Sequence, residues 1–413
     1  MPISRPQAQS RPSPRPPSAD VGPPTWLVTL LAVSCGLTVA NIYYAQPLLD
    51  VLRQAFRLNE ATAGSLVTVT QIGFAAGMVF LVPLGDRLES RRLVTILLTV
   101  TTLAMAVGGL APSFPVLLLA ALVSGTGSVV AQVLVPYVAD LAPDHTRGRV
   151  VGRVMSGLLA GILLSRTLGS LLEEATNWRT VYLASAVLMA ALTLTLRVAL
   201  PRRAPTTTGS YRDLLASTLR LARIHGPLRR RSLYQAAMFG TFSAFWTTIS
   251  YVLTAAPFHY SQFGIGIFAL VGAAGALVAP LAGKWADRGL TRPMTAAAFL
   301  CAIAALAIAG FGRHSVVLLA AAAILLDLAA QSSLILGQHT IYQLDHTARA
   351  RLNSVYIATF FIGGAFGSQI GAVAYHLGGW TALTLFAAAL PVLALLGWAT
   401  ERRAQHRSGS HPS

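Results

Sequence analysis

Leu93-Val-Thr-Ile-Leu-Leu-Thr-Val-Thr-Thr-Leu-Ala-Met-Ala-Val-Gly-Gly-Leu110 contains no charged side chain, and its apolar and polar positions do not alternate. A helix crosses the hydrocarbon layer with about 20 mostly apolar residues, whereas a barrel strand needs a shorter, strictly alternating segment. Lipid tolerates only these two solutions, because each satisfies its own backbone hydrogen bonds. This stretch therefore reads as a transmembrane helix, started by Arg91-Arg92. Working outward, eleven further stretches fit the same template, near 26–48, 61–84, 115–139, 151–172, 178–200, 232–256, 262–283, 293–311, 315–337, 352–375 and 379–399. Composition agrees. Of 413 residues, 54% are hydrophobic and 11% charged, against about 25% charged in a soluble domain. Mean hydropathy is +0.62. Soluble domains are excluded, and so is disorder over most of the chain. The expected fold is an all-α integral membrane protein with about twelve transmembrane helices.

The 31 Lys and Arg outnumber the 14 Asp and Glu, giving a net charge of +17. Such a surplus can mark a nucleic-acid binder, but its distribution assigns it to membrane orientation. With the N-terminus inside, 26 of the 31 bases fall on cytoplasmic segments. Arg53, Arg57, Arg179 and Arg313 fall outside, and Arg166 lies within a span. Basic residues stay on the cytoplasmic side of inserted chains, so both termini are expected there and no nucleic-acid partner is needed. Residues 1–25, rich in Pro, Ser and Arg, read as a disordered tail and not as a signal peptide. Residues 26–200 and 232–400 form two six-helix bundles, joined by a basic linker at 201–231 that anionic headgroups would attract. Residues 401–413 form a second cytoplasmic tail. Cys35 and Cys301 lie in apolar segments, and the His, Cys and Asp residues show no metal-ligand spacing. No phosphate-binding loop with a Lys-Ser/Thr ending occurs, so ATP is not the energy source. An enzyme, a metal and a cofactor are not expected.

The two halves repeat a loop. Val82-Pro-Leu-Gly-Asp86-Arg87-Leu-Glu-Ser-Arg91-Arg92 follows the second span, and Gly283-Lys-Trp-Ala-Asp287-Arg288-Gly289-Leu-Thr-Arg292 follows the eighth. With Asp140-Leu-Ala-Pro-Asp-His-Thr-Arg147-Gly148-Arg149 after the fourth span, this pattern resembles the major facilitator superfamily over residues 26–400. The resemblance implies two pseudo-symmetric bundles rocking about a central cavity. It also implies that Asp86, Arg87, Arg91, Asp140, Arg147, Asp287 and Arg288 act as a cytoplasmic gate. The drug–proton antiporter branch is the nearest resemblance, with departures. Ala121 stands where that branch has an Arg in the fourth span, and Ser165-Arg166 stand in place of a Gly-Pro pair in the fifth.

Small residues four apart mark close helix contacts in lipid: Gly73 and Gly77, Gly157 and Gly161, Gly363 and Gly367. The resemblance places the spans that carry them where the halves meet. It also puts the first, fourth, seventh and tenth spans around the cavity, so Asn41, Tyr44, Gln132, Gln235, Phe239, Trp246 and Gln331 are substrate-contact candidates. For Asn41 with Tyr44 an interhelical hydrogen bond is the competing role, and for the seventh-span aromatics it is core packing. Two charges stand within spans, Asp327 and Arg166. Each costs at least ~2.5 kcal/mol at the bilayer centre and needs a partner or a task. Three roles are open: proton coupling through Asp327, an anion-holding Arg166, or a fixed ion pair. The expected function is proton-coupled export of a small, partly apolar molecule by a monomer in a bacterial inner membrane. Uptake or facilitated diffusion of a small, even anionic, solute is the alternative. From another class, the alternative is a non-transporting receptor or lipid-handling protein on the same scaffold.

Overall fold

The computed structural model of the protein describes residues 22–202, 210–345 and 348–408, without the side chains of Asp86, Asp144, Ala276, Leu277, Ala279, Pro280 and 402–408. Most of the expected N-terminal tail, part of the linker and the last residues of the C-terminal tail lie outside the described residues. Every regular element among those described is helical. The first span is two helices, α1 (Thr25–Ala40) and α2 (Ala45–Phe56), joined by a turn. The second is α3 (Glu60–Phe80) and the third α4 (Ser90–Gly109). The fourth is also broken, into α5 (Phe114–Gly127) and α6 (Val130–Leu141), followed by α7 (Asp144–Ala175) and α8 (Trp178–Ala199). After α9 (Tyr211–Ile224) the second half runs α10 (Gly226–Thr254), then α11 (Gln262–Gly272), which passes through a short 3-10 turn into α12 (Ala279–Asp287). It closes with α13 (Thr291–Phe311), α14 (Val316–Tyr342) and α15 (Arg349–Ser408).

α15 is the eleventh and twelfth spans together. Gly378 and Gly379 leave helical geometry, Gly379 at φ +62°, a conformation that costs glycine little. Chain direction reverses there. Gly363 and Gly367 lie against Ala236 and Gly240 on the way up α10, while Thr241 donates to the Ala387 carbonyl and Trp380 packs on Phe245 on the way back. Side-chain caps fix other helix starts. Asn59 accepts from the Thr62 amide, and Asn177 accepts from the amides of Arg179 and Thr180. A capping Asn satisfies donors that a helix N-terminus leaves open.

The turns alternate between an arginine-rich end and an arginine-poor end, as twelve passes require. Three boundaries differ from the sequence reading. The first span runs to Phe56, so Asp50 lies within it and is 3% exposed; Asp327 is not the only acid buried in a span. Part of the segment read as linker is the helix α9. The seventh span begins at Gly226, six residues earlier than 232.

The glycine stripes meet different partners from those expected. Gly73 and Gly77 press on Leu122 and Thr126 of the fourth span, and Gly157 and Gly161 on Ala32 and Gly36 of the first. Gly363 and Gly367 press on the seventh span, and Gly275 on Ile324 and Leu328 of the tenth. All four contacts fall inside a half, and they match pairwise: spans 1 and 5 with 7 and 11, spans 2 and 4 with 8 and 10. The halves meet through other residues. Gly64 faces Ala372, Gly364 lies beside Gln71, and Gly266 lies on Thr167 and Ser170. Polar bonds cross the same seam: Thr68 Oγ1 to Ser368 Oγ at 2.9 Å, Gln71 Nε2 to Ser243 Oγ at 3.0 Å, and Thr167 Oγ1 to the Gly266 carbonyl at 3.0 Å.

Candidate functional site: a buried charge cluster between the halves

Arg166 is the largest fully buried side chain among the described residues, 1% exposed in the second half of α7. Its Nε donates to Gln46 Oε1 of α2 at 2.8 Å. Three rings surround the guanidinium, with centroids 5.1 Å (Tyr43), 5.1 Å (Phe242) and 4.4 Å (Trp246) from Cζ. Ring faces attract a cation, and more strongly where water is excluded. Trp246 Nε1 donates to Asp327 Oδ1 at 3.0 Å, and Asp327 is 3% exposed. Arg166 and Asp327 therefore do not form the direct ion pair that the sequence allowed. Trp246 stands between them, with its face on the cation and its edge on the anion. Gly272 and Gly275 make the room, since a Cβ at Gly272 would strike the Trp246 ring at 2.7 Å and one at Gly275 would meet Asp327 Cβ at 2.9 Å.

The cluster straddles the seam. Tyr43, Gln46 and Arg166 belong to the first half, and Phe242, Trp246 and Asp327 to the second. Below Trp246 the aromatic stack continues, with Phe239 at 5.5 Å from Phe242 and 5.0 Å from Phe361, and Phe361 at 4.3 Å from Phe74.

The remaining cavity candidates separate. Asn41 sits in the turn that breaks the first span, accepts from Ser185 and donates to Met189 Sδ at 3.4 Å, both on α8. It is an interhelical tie to α8. Tyr44 packs near Gly169 of α7. Gln235 is 1% exposed and reaches the Ala330 carbonyl at 3.5 Å. Gln132 and Gln331 are half-buried on the fourth and tenth spans, and neither is part of the Arg166 cluster.

The expected gate residues gather at the arginine-rich end. Asp287 pairs with His339 at 3.7 Å within its own half, Arg147 Nε donates to the Ala139 carbonyl at 2.9 Å, and Asp140 also has a partner. Arg288 is exposed and Arg87 and Arg91 half-buried; the Asp86 side chain lies outside the described residues. What bridges the halves at that end is α9. Tyr211 Oη donates to the Phe80 carbonyl at 2.6 Å, and Arg351 donates to Ser217 Oγ at 2.9 Å.

A polar network that sequence reasoning missed sits at the arginine-poor end. Asp50 holds Arg53 at 2.8 Å and Gln54 at 2.8 Å. Arg53 approaches Glu60 at 4.0 Å, and Glu60 crosses the seam to His376 Nδ1 at 2.9 Å, while Tyr251 stacks on Tyr375 at 5.7 Å. The one available signal was the density of charge in Asp50–Glu60, which a span ending at residue 48 turned into a loop.

Similarity to known proteins follows this architecture. The chain is 41% identical over 372 residues to YgaY, an uncharacterised transporter of Escherichia coli O157:H7, covering 90% of this chain and 94% of that one. It is 34% identical over 403 residues to a Streptomyces coelicolor protein named as a probable transporter, covering 96% and 91%. Its fold superposes with a TM-score of 0.73 and 16% identity on a bacterial homologue of the human lysosomal transporter Spinster in an inward-facing, occupied conformation, over 92% and 97% of the two chains. Together with two paired halves closing on one buried cluster, and with family matches at residues 29–330 and 231–412, these relations make the chain a multi-pass membrane transporter that belongs to the Major Facilitator Superfamily.

Proposed function

We propose that this protein is a proton-coupled secondary transporter of a bacterial inner membrane that moves a small, partly apolar molecule by alternating access, with Asp327 carrying the proton. The supporting observation is the Arg166–Trp246–Asp327 cluster, whose cation belongs to one half and whose anion to the other. Rocking the halves apart takes Arg166 from Trp246 and strips Asp327 of its compensating charge. A carboxylate isolated from water and counter-charge is neutralised by a proton at lower cost than it is carried as an ion. Proton binding and the position of the halves are then one equilibrium, as coupling demands. Cytoplasmic placement of both termini rests on the arginine distribution.

Two directions fit this chemistry. Exchange of a proton for substrate gives export. Movement of both together gives uptake of an anionic solute, and the spare hydrogen-bond donors of Arg166 favour it. Reconstituted vesicles with an imposed pH gradient, screened with a panel of small organic molecules, decide between the two by which side accumulates solute. Asp327→Asn should abolish gradient-driven accumulation and retain exchange without a gradient. Equal gradient-driven flux in wild type and variant overturns the coupling role.

A further inference from the structure

We infer that Arg166 and Gln46 seat the carboxylate of the transported molecule, and that this molecule is an aromatic monocarboxylate entering together with one proton. The inference rests on the transporter reading above and adds a substrate class to it. Arg166 has five N–H donors and no acceptor. Its Nε is used by Gln46, but Nη2 is buried without an acceptor, and so is Nε2 of the same Gln46. Buried donors are nearly always paired in folded proteins. Two unpaired ones on touching side chains define a site that asks for oxygen acceptors and offers none. Asp327 does not fill the role: it makes no hydrogen bond to Arg166, and the Trp246 ring stands between them. A carboxylate matches a guanidinium edge with two parallel hydrogen bonds; an amine brings only donors, and an amide only one acceptor. The walls fix the rest of the molecule. Tyr43, Phe242 and Trp246 close around the guanidinium, so a ring attached to the carboxylate would lie among aromatic neighbours.

Charge balance gives the stoichiometry. Arg166, Asp327 and the Tyr43 hydroxyl are the titratable groups whose charges act on one another in the cluster. Empty, the cluster holds one cation and one anion. A bound carboxylate adds a second anion, and one proton on Asp327 restores neutrality. Loaded and empty forms are then equally neutral, so proton and carboxylate travel together.

The test uses detergent-purified full-length protein and radiolabelled benzoate, with benzamide and benzylamine as competitors. Benzoate should bind. Benzamide and benzylamine should compete at least tenfold more weakly. Arg166→Gln and Gln46→Glu, the latter placing an acceptor on the guanidinium, should each weaken benzoate at least tenfold. Binding in weak buffer should take up one proton in wild type and none in Asp327→Asn. Absent benzoate binding, equal competition by benzamide, or undiminished affinity in Gln46→Glu overturns the site. The Gln46 variant decides the matter if Arg166→Gln does not fold. Binding needs no gradient, so the two readings fail separately. Carboxylate-selective binding with flux insensitive to Asp327→Asn keeps the seat and removes proton coupling. Flux sensitive to Asp327→Asn without carboxylate selectivity removes the seat alone.

Discussion

Arg166 and Asn41 illustrate how much a single polar residue in a span reveals. Both are buried, at 1% and 6% exposure, and the sequence marks both as unusual for lipid. Their surroundings divide them. Asn41 spends both ends of its amide on α8, whereas Arg166 keeps donors unspent. Asn41→Leu should therefore leave flux unchanged and lower thermal stability by about 1–3 kcal/mol, the cost of leaving the Ser185 hydroxyl buried and unpaired. Thermal unfolding in detergent and vesicle flux measured side by side check this; a flux loss larger than the loss of folded protein would return Asn41 to the transport path. The sequence shows that a polar group is buried, but its hydrogen-bond partner comes from a helix about 150 residues away, and no local pattern encodes that.

At the scale of elements, spacing is legible and partnership is not. The long apolar stretches appear in the structure as helices because length and hydropathy alone decide whether a segment can cross lipid. Glycines four apart correctly mark a face for close approach. A face does not say which neighbour covers it, and so the stripes belong to contacts within each half, while the seam uses Gly64, Gly266 and Gly364. The break at 41–44 was equally hidden, since the polar Asn41 there does not by itself mark a turn in a span. α7 offers a controlled comparison. A Cβ at Gly161 would collide with the Gly36 backbone, but one at Gly152 meets nothing within 4 Å. Gly152→Ala should gain about 0.5–1 kcal/mol from helix propensity, and Gly161→Ala should destabilise through overpacking by about 1–3 kcal/mol. Opposite shifts of the unfolding midpoint on one helix are the expected result. Two shifts of the same sign would show that α1 and α7 do not meet as described.

For the whole molecule, the two halves are held at the arginine-poor end by charge and by packing, and magnitudes separate the contributions. The Glu60–His376 hydrogen bond is partly open to solvent, with side chains 25% and 41% exposed, and even a full ion pair so exposed is worth no more than about 1 kcal/mol. Losing it shifts a two-state equilibrium by no more than about fivefold. The packing beside it has more at stake. Gly64 lies so close to Ala372 that a Cβ there would approach the Ala372 methyl to 2.5 Å, and Thr247, fully buried, lies just behind. In a background without Cys35 and Cys301, Thr247→Cys gives a probe under this seam. Its reaction with a membrane-impermeant thiol reagent added at the arginine-poor side should rise severalfold at most with His376→Leu. With Gly64→Val, which forces α3 away from α15, it should rise by tenfold or more. A larger effect from His376→Leu than from Gly64→Val would mean that charge, not helix packing, closes this end. No change in either variant would mean that the seam between α3 and α15 does not open during the cycle at all.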